Sequence, residues 1–141
     1  MPRYLVVAHR TLGSPELTQA LEDRSEGGQS TFHLLVPEFH GGLGLTYTDT
    51  RARTIARQTL DEAQARFAAA GLVTTGEVGE ASPVDAVATV LERDGGDAFD
   101  AVIVCTLPPG ISRWLGLDAP TQIRRRFGLD VLHVIGHLVD A

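Results

Sequence analysis

The residues best suited to chemistry gather in one stretch of this 141-residue chain, D-A-V-I-V-C-T-L-P-P-G-I-S-R-W-L-G-L-D-A-P-T-Q-I-R-R-R-F, from Asp100 to Phe127. It reads as a buried strand, a Pro/Gly turn, a loop carrying Ser112, Arg113 and Trp114, and a helix opened by Asp118. Such a loop aims backbone N–H groups and a positive helix terminus at the carboxyl edge of a parallel sheet, where anionic ligands bind. A guanidinium fork matches phosphate oxygens. Arg113, beside the helix start, is therefore the ligand candidate. Arg124-Arg125-Arg126 reads as a solvated face whose charge complements the helix C-terminus, and Trp114 reads as packing.

The histidines say less. His9 ends the first apolar run at the same edge and could bond a ligand or carry a pH-sensitive charge; a partly exposed strand-end histidine is the plainer reading. His33 lies inside a strand, which favours a hydrogen-bonded structural role. His40 is uninformative. His133 and His137 flank V-I-G, one residue too many for an H-x-G-H motif. With no cysteine partner and no H-x-x-x-H on a helix, no metal site is expected. Ser112 has neither a G-x-S-x-G context nor an evident base. Gly41-Gly42-Leu43-Gly44 lacks both the Gly-Lys-Ser/Thr of a P-loop and G-x-G-x-x-G spacing, and reads as a surface loop. No carboxylate sits in an apolar stretch that would force its pKa up. All 12 basic residues are arginine, which excludes lysine Schiff-base or P-loop chemistry. No residue is assigned a catalytic role.

The elements that position these residues follow from apolar patterning. Tyr4–Ala8 is a continuous apolar run suited to a strand buried on both faces. Ser14-Pro15-Glu16 combines an N-cap, a first-turn proline and a first-turn acid, and Gly27-Gly28 stops that helix. Thr31–Val36 is a second strand, closed by Pro37. Residues 37–48 form a glycine-rich loop, after which Thr48 or Asp49 caps a long helix. Its buried face is Ala52, Ile55, Ala56, Leu60, Ala63, Phe67 and Ala70, with Gly71 as the C′ residue. Leu72–Val78 is a more polar strand, placed near an edge. Ser82-Pro83-Val84-Asp85 starts a third helix with Val84, Val87, Ala88 and Leu91 as its stripe, ended by Gly95-Gly96. Ala101–Val104 is the fourth strand, Asp118 opens a helix bearing Ile123 and Phe127, and Val131–Ile135 is the last strand. The order βαβαβαβαβ predicts an α/β fold, a parallel sheet with helices on both faces. The two long irregular pieces, 37–48 and 106–117, both follow strands and should converge at the carboxyl edge.

Composition sets the class. Apolar residues make up 43% and charged residues 21%, a globular balance that argues against disorder. Residues 1–141 read as a single domain. A net charge of −6 argues against nucleic acid and anionic membrane as partners. The single cysteine, Cys105, permits no internal disulfide, and its apolar strand context predicts a buried, inert thiol. No signal peptide or membrane span is evident, so the expected location is cytoplasmic.

Taken together, V-V-A-H-R-T, T-L-D-E-A-Q-A-R-F-A-A-A-G-L, G-E-A-S-P-V-D-A-V, and D-A-V-I-V-C-T followed by G-I-S-R-W-L and F-G-L-D-V-L-H-V resemble, in order and spacing, the universal stress protein family. The resemblance covers nearly the whole chain. It implies a five-stranded parallel sheet of order 3-2-1-4-5 in a Rossmann-like three-layer sandwich, and a homodimer paired through the last strand, here Val131, His133 and Ile135. The nucleotide-binding members of that family carry Asp at the end of the first strand and G-x2-G-x9-G-S/T after the fourth. Here His9 takes the Asp position, Cys105 and Pro108 take the first two glycines, and Leu117 and Asp118 take the final Gly-Ser, in a loop one residue short. Proline has no N–H for a phosphate, a side chain at 117 blocks close backbone approach, and Asp118 repels a triphosphate. The resemblance therefore implies a non-catalytic ligand- or partner-binding regulator with a degenerate ATP motif. An alternative is adenine-nucleotide binding, to ATP, ADP or AMP, by a remodelled site of Ala8, His9, Val36, Gly110, Ser112, Arg113 and Gly116. A nucleotide-hydrolysing enzyme of the same superfamily is a third reading, weakened by the lack of S-G-G-x-D-S and H-x-G-H motifs.

Overall fold

The computed structural model describes residues 2–25, 30–38, 49–106 and 119–137; the side chains of Asp49 and Thr50 are not described. Five strands, β1 (Arg3–Val7), β2 (Thr31–Pro37), β3 (Val73–Gly79), β4 (Ala101–Thr106) and β5 (Val131–Ile135), alternate with α1 (Pro15–Ser25), α2 (Asp49–Ala69), α3 (Pro83–Asp94) and α4 (Ala119–Phe127). The sheet is parallel throughout, in the order β3-β2-β1-β4-β5. This is the expected Rossmann-like α/β architecture. The order reverses beside β1, whose neighbours are β2 and β4, and that reversal is where α/β sheets leave a crevice.

Alternation along the central strands sorts the core into two layers. Val6, Ala8, Phe32, Leu34, Val36, Ile103 and Cys105 pack with Leu17 and Leu21 of α1 and Ala56, Leu60, Ala63 and Phe67 of α2. Leu5, Val7, Leu35, Val102 and Val104 pack with Ala86, Val87, Val90 and Leu91 of α3 and with Ala119 and Ile123 of α4. Each large apolar side chain removed from water contributes about 1.5–3 kcal/mol. β3 is an edge strand, as its polarity suggested, and Gly76 and Gly79 let helices come close. A Cβ at Gly76 would stand 2.5 Å from Leu60 Cδ1, and one at Gly79 would stand 2.8 Å from Ala86 Cβ.

The helix punctuation follows the sequence signals. Ser14 Oγ accepts from Leu17 N at 3.2 Å and Ser82 Oγ accepts from Asp85 N at 3.3 Å, so both serines cap their helices. Gly71 and Gly95 adopt φ of 83° and 97° just beyond α2 and α3, the left-handed region glycine reaches without strain. Some details differ. Ala70, expected on the buried face of α2, is exposed beyond the helix end, and Ile55 is only half-buried. β4 continues through Cys105 and Thr106, because both side chains are buried and β5 pairs with the strand up to that point. The buried stripe of α3 is Pro83, Ala86, Val87, Val90 and Leu91: Val87 and Leu91 are buried as expected, whereas Val84 and Ala88 are only half-buried. A 3₁₀ turn, Arg10–Gly13, fills the connection from β1 to α1, with Thr11 and Leu12 buried. The expected helix cap at Asp118 lies outside the described residues.

Candidate functional site

At the carboxyl edge, β1 gives way to Ala8 and His9, and β2 carries Val36 and Pro37 and is followed by Glu38. Ala8 is wholly buried, and its N–H donates to the Leu35 carbonyl at 3.3 Å. Val36 is likewise buried, in the core layer beneath α2. Both positions therefore line the edge with backbone rather than side chain. His9 is 4% exposed, so the structure does not support the plainer reading of it as a partly exposed strand-end histidine. Its carbonyl accepts from Leu12 N at 3.1 Å and opens the 3₁₀ turn. Burial, with a smaller contribution from the Arg10 charge, lowers the His9 pKa to about 4, so the imidazole is neutral at neutral pH.

The turn after His9 ties β1 to β4. Thr11 Oγ1 donates to the Cys105 carbonyl at 3.0 Å, and Ser14 Oγ lies 3.8 Å from Cys105 Sγ. On the far side of β4, Gly136 N donates to the Thr106 carbonyl at 2.8 Å. Only a glycine fits at 136, where a Cβ would stand 2.5 Å from Ser14 Oγ and 3.0 Å from Cys105 Sγ. His137 then clamps the start of α1: its N–H donates to Glu16 Oε1 at 2.9 Å and its Nδ1 lies 3.3 Å from Glu16 Oε2. The His137 backbone N–H is the main cause holding the Glu16 carboxyl below its usual range. Cys105 is buried and its thiol pKa is raised by burial, so it stays protonated and inert, as the sequence suggested.

Two further polar groups belong to this edge. Thr106 Oγ1 and His133 Nε2 are 2.7 Å apart, and burial, then Arg124, lowers the His133 pKa. Glu38 is 7% exposed, its N–H donates to the Gly79 carbonyl at 3.0 Å, and Arg53 Nε of α2 reaches its carboxylate at 3.1 Å. Glu38 was not expected in such a setting, because a Glu after a proline-ended strand reads as loop. Thr11 and Thr106 were also missed; small hydroxyls beside strand ends give no periodic signal. Gly110, Ser112, Arg113 and Gly116 of the expected site lie outside the described residues, as do His40 and the loop 39–48. His9, Ala8 and Val36 do converge on one edge.

The chemistry available here is hydrogen bonding by neutral imidazoles and hydroxyls beside the ion pair of buried Glu38 with exposed Arg53. Among the described residues no group of three or more His, Cys, Asp or Glu side chains is placed to hold a metal ion. An open cleft of about 430 Å³ lies at the opposite, amino-terminal edge, between Tyr4, Arg24, Asp100, Asp130 and the start of β5. It is remote from the carboxyl edge of β1, where the polar groups converge.

No family model matches the sequence, and no curated protein matches it. The structure is similar to the crystal structure of a protein from the universal stress protein family from Burkholderia pseudomallei, with a TM-score of 0.54 and 17% identity over 94% of each chain. That likeness is one of fold, and it agrees with the strand order and near-complete coverage that the sequence resemblance implied. Among the described residues no helix is long and apolar enough to cross a membrane.

Proposed function

We propose that the protein is a universal stress protein-like, single-domain cytoplasmic regulator in stress response that binds a ligand or partner at the carboxyl edge, without catalysis there and without typical ATP binding. The observation that carries the reading is Cys105. It stands where the resemblance puts the first glycine of the nucleotide motif, yet its side chain is packed on Ser14 and Gly136 and its carbonyl is taken by Thr11. His9, in the place of the motif's Asp, is a buried neutral imidazole rather than a carboxylate. Pro108, Leu117 and Asp118 add the missing N–H, the blocked approach and the adverse charge.

The assembly in this proposal is a homodimer through β5. The strand is at the edge of the sheet, Ile135 is 43% exposed, and Val131 is only half-buried. An edge with unpaired backbone groups and apolar side chains is suited to pairing with a second copy. Mass spectrometry of the natively purified protein tests the ligand reading. A co-purifying small molecule other than an adenine nucleotide is the expected result, and stoichiometric ATP, ADP or AMP would turn the reading to the remodelled nucleotide site.

A further inference from the structure

A second polar cluster lies away from the carboxyl edge, on the α3-facing side of β2 and β3. His33 Nδ1 is 2.7 Å from Thr75 Oγ1, and His33 Nε2 is 2.6 Å from Glu77 Oε2. Arg93 of α3 grips both oxygens of Glu77 at 2.9 and 2.7 Å and also bonds Asp94. Phe99 stacks against the imidazole with centroids 6.1 Å apart, and the Arg3 guanidinium lies over the Phe99 ring, 5.2 Å from its centroid.

The hydrogen bonds fix the tautomer. The Arg93 hydrogen bonds are the main cause holding the Glu77 carboxyl below its usual range, so it is ionised and only accepts. His33 Nε2 therefore carries the proton toward Glu77. In the neutral ring Nδ1 is then bare, and the Thr75 hydroxyl is the group that donates to it. A hydroxyl bonded to a base that is oriented by a third group is the arrangement that activates a nucleophile. Exposure is divided usefully: the His33 side chain is 17% exposed and that of Glu77 26%, while Thr75 is exposed to solvent. The base is shielded and the hydroxyl is reachable. Val73, on the same face two residues earlier, is 58% exposed and offers an apolar surface to a small acyl group.

We propose that Thr75 is a site of covalent acylation, its hydroxyl taking the acyl group from small activated donors such as aryl esters and acyl phosphates. The Thr75 Oγ1–acyl carbon bond forms and the bond from that carbon to the leaving group breaks. The hydroxyl proton passes to His33 Nδ1 and from there to the leaving group. Nothing is oxidised or reduced. The chain's lack of lysine removes the side-chain amines that ordinarily compete for such donors.

The test is incubation of the full chain with p-nitrophenyl acetate, and separately with acetyl phosphate, followed by peptide mapping by mass spectrometry. Acetyl-Thr75 is expected as the main product beside any reaction at the N-terminal amine. Thr75→Ser should keep the reaction. Thr75→Val, at an exposed position where circular dichroism should show the fold intact, should abolish that product and its share of p-nitrophenolate release. His33→Gln should slow labelling roughly 100-fold or more, the contribution of a positioned base. Unmodified Thr75, labelling at an equal rate in His33→Gln, or unchanged p-nitrophenolate release in Thr75→Val would each overturn the proposal; the last would mean that an imidazole attacks alone.

Discussion

At the scale of single residues, His9 makes the sharpest prediction. Its folded pKa of about 4 lies below the unfolded value of 6.5, so the folded protein binds this proton more weakly than the unfolded chain. Above 6.5 the ring is neutral in both states and the folded protein has its full stability. As pH falls from 6.5 toward 4 the unfolded chain protonates first and stability drops, by about 3 kcal/mol at 1.36 kcal/mol per pKa unit. Urea unfolding at pH 7, 6 and 5 should show about 2 kcal/mol of that loss, and His9→Gln should remove most of the slope; exposed His133, lowered in the same direction, leaves a smaller remainder. A slope unchanged in His9→Gln would mean that the imidazole is not desolvated. Gly136 is the second case. Gly136→Ala places a methyl 2.5 Å from Ser14 Oγ and should cost about 1–3 kcal/mol, read as a lower urea midpoint at constant m-value. Neither effect was legible in the sequence. His9 read most plainly as a partly exposed strand end, and nothing local marks Gly136, whose constraint comes from Ser14 and Cys105, distant in sequence.

Among elements, the sequence was most readable where local chemistry decides. Ser14-Pro15 and Ser82-Pro83 announced helix starts because capping is a matter of neighbouring residues. Ser82→Ala should therefore cost about 1 kcal/mol, measurable as a drop in thermal midpoint, whereas a cap made redundant by its proline would leave the midpoint unmoved. The long α2 stripe was legible over most of its length because Ala52, Ala56, Leu60, Ala63 and Phe67 keep one face, whereas Ile55 is only half-buried and Ala70, beyond the helix end, is exposed. Phe67→Ala should cost about 3–5 kcal/mol, because the wholly buried ring leaves a cavity that its helix and strand neighbours fill poorly. The α3 stripe was read correctly at Val87 and Leu91 but not at Val84 and Ala88. Apolar residues occupy more than half its circumference, and only packing against Leu35 and Val7 selects Ala86 and Val90 over Val84 and Ala88. The 3₁₀ turn after β1 was missed because its register is set by long-range bonds, Thr11 to Cys105 and Arg66 to the Leu12 carbonyl at 3.0 Å.

At the scale of the molecule, strand alternation with helices was enough for a parallel sheet, while the order β3-β2-β1-β4-β5 came from the family resemblance and is matched by the structure. The likeness to a universal stress protein structure extends over 94% of the chain at only 17% identity, which is why the fold is legible and the ligand is not. A ligand is chosen by a handful of edge residues, and in our proposal the departures from the family motif fall on those residues. The proposed dimer belongs to this scale too. Ile135→Arg adds a charge to the exposed β5 edge and should leave the fold intact while shifting micromolar protein from dimer to monomer in light scattering; a wild-type monomer would contradict pairing through β5.

The central claim is that this edge keeps the scaffold of a nucleotide site but not its capacity to hold a triphosphate. Thermal unfolding with and without Mg·ATP measures that claim most directly. The account predicts a midpoint that does not move at millimolar ATP. A rise equivalent to about 2.7 kcal/mol, the stabilisation given by a ligand at one hundred times its dissociation constant, would contradict it.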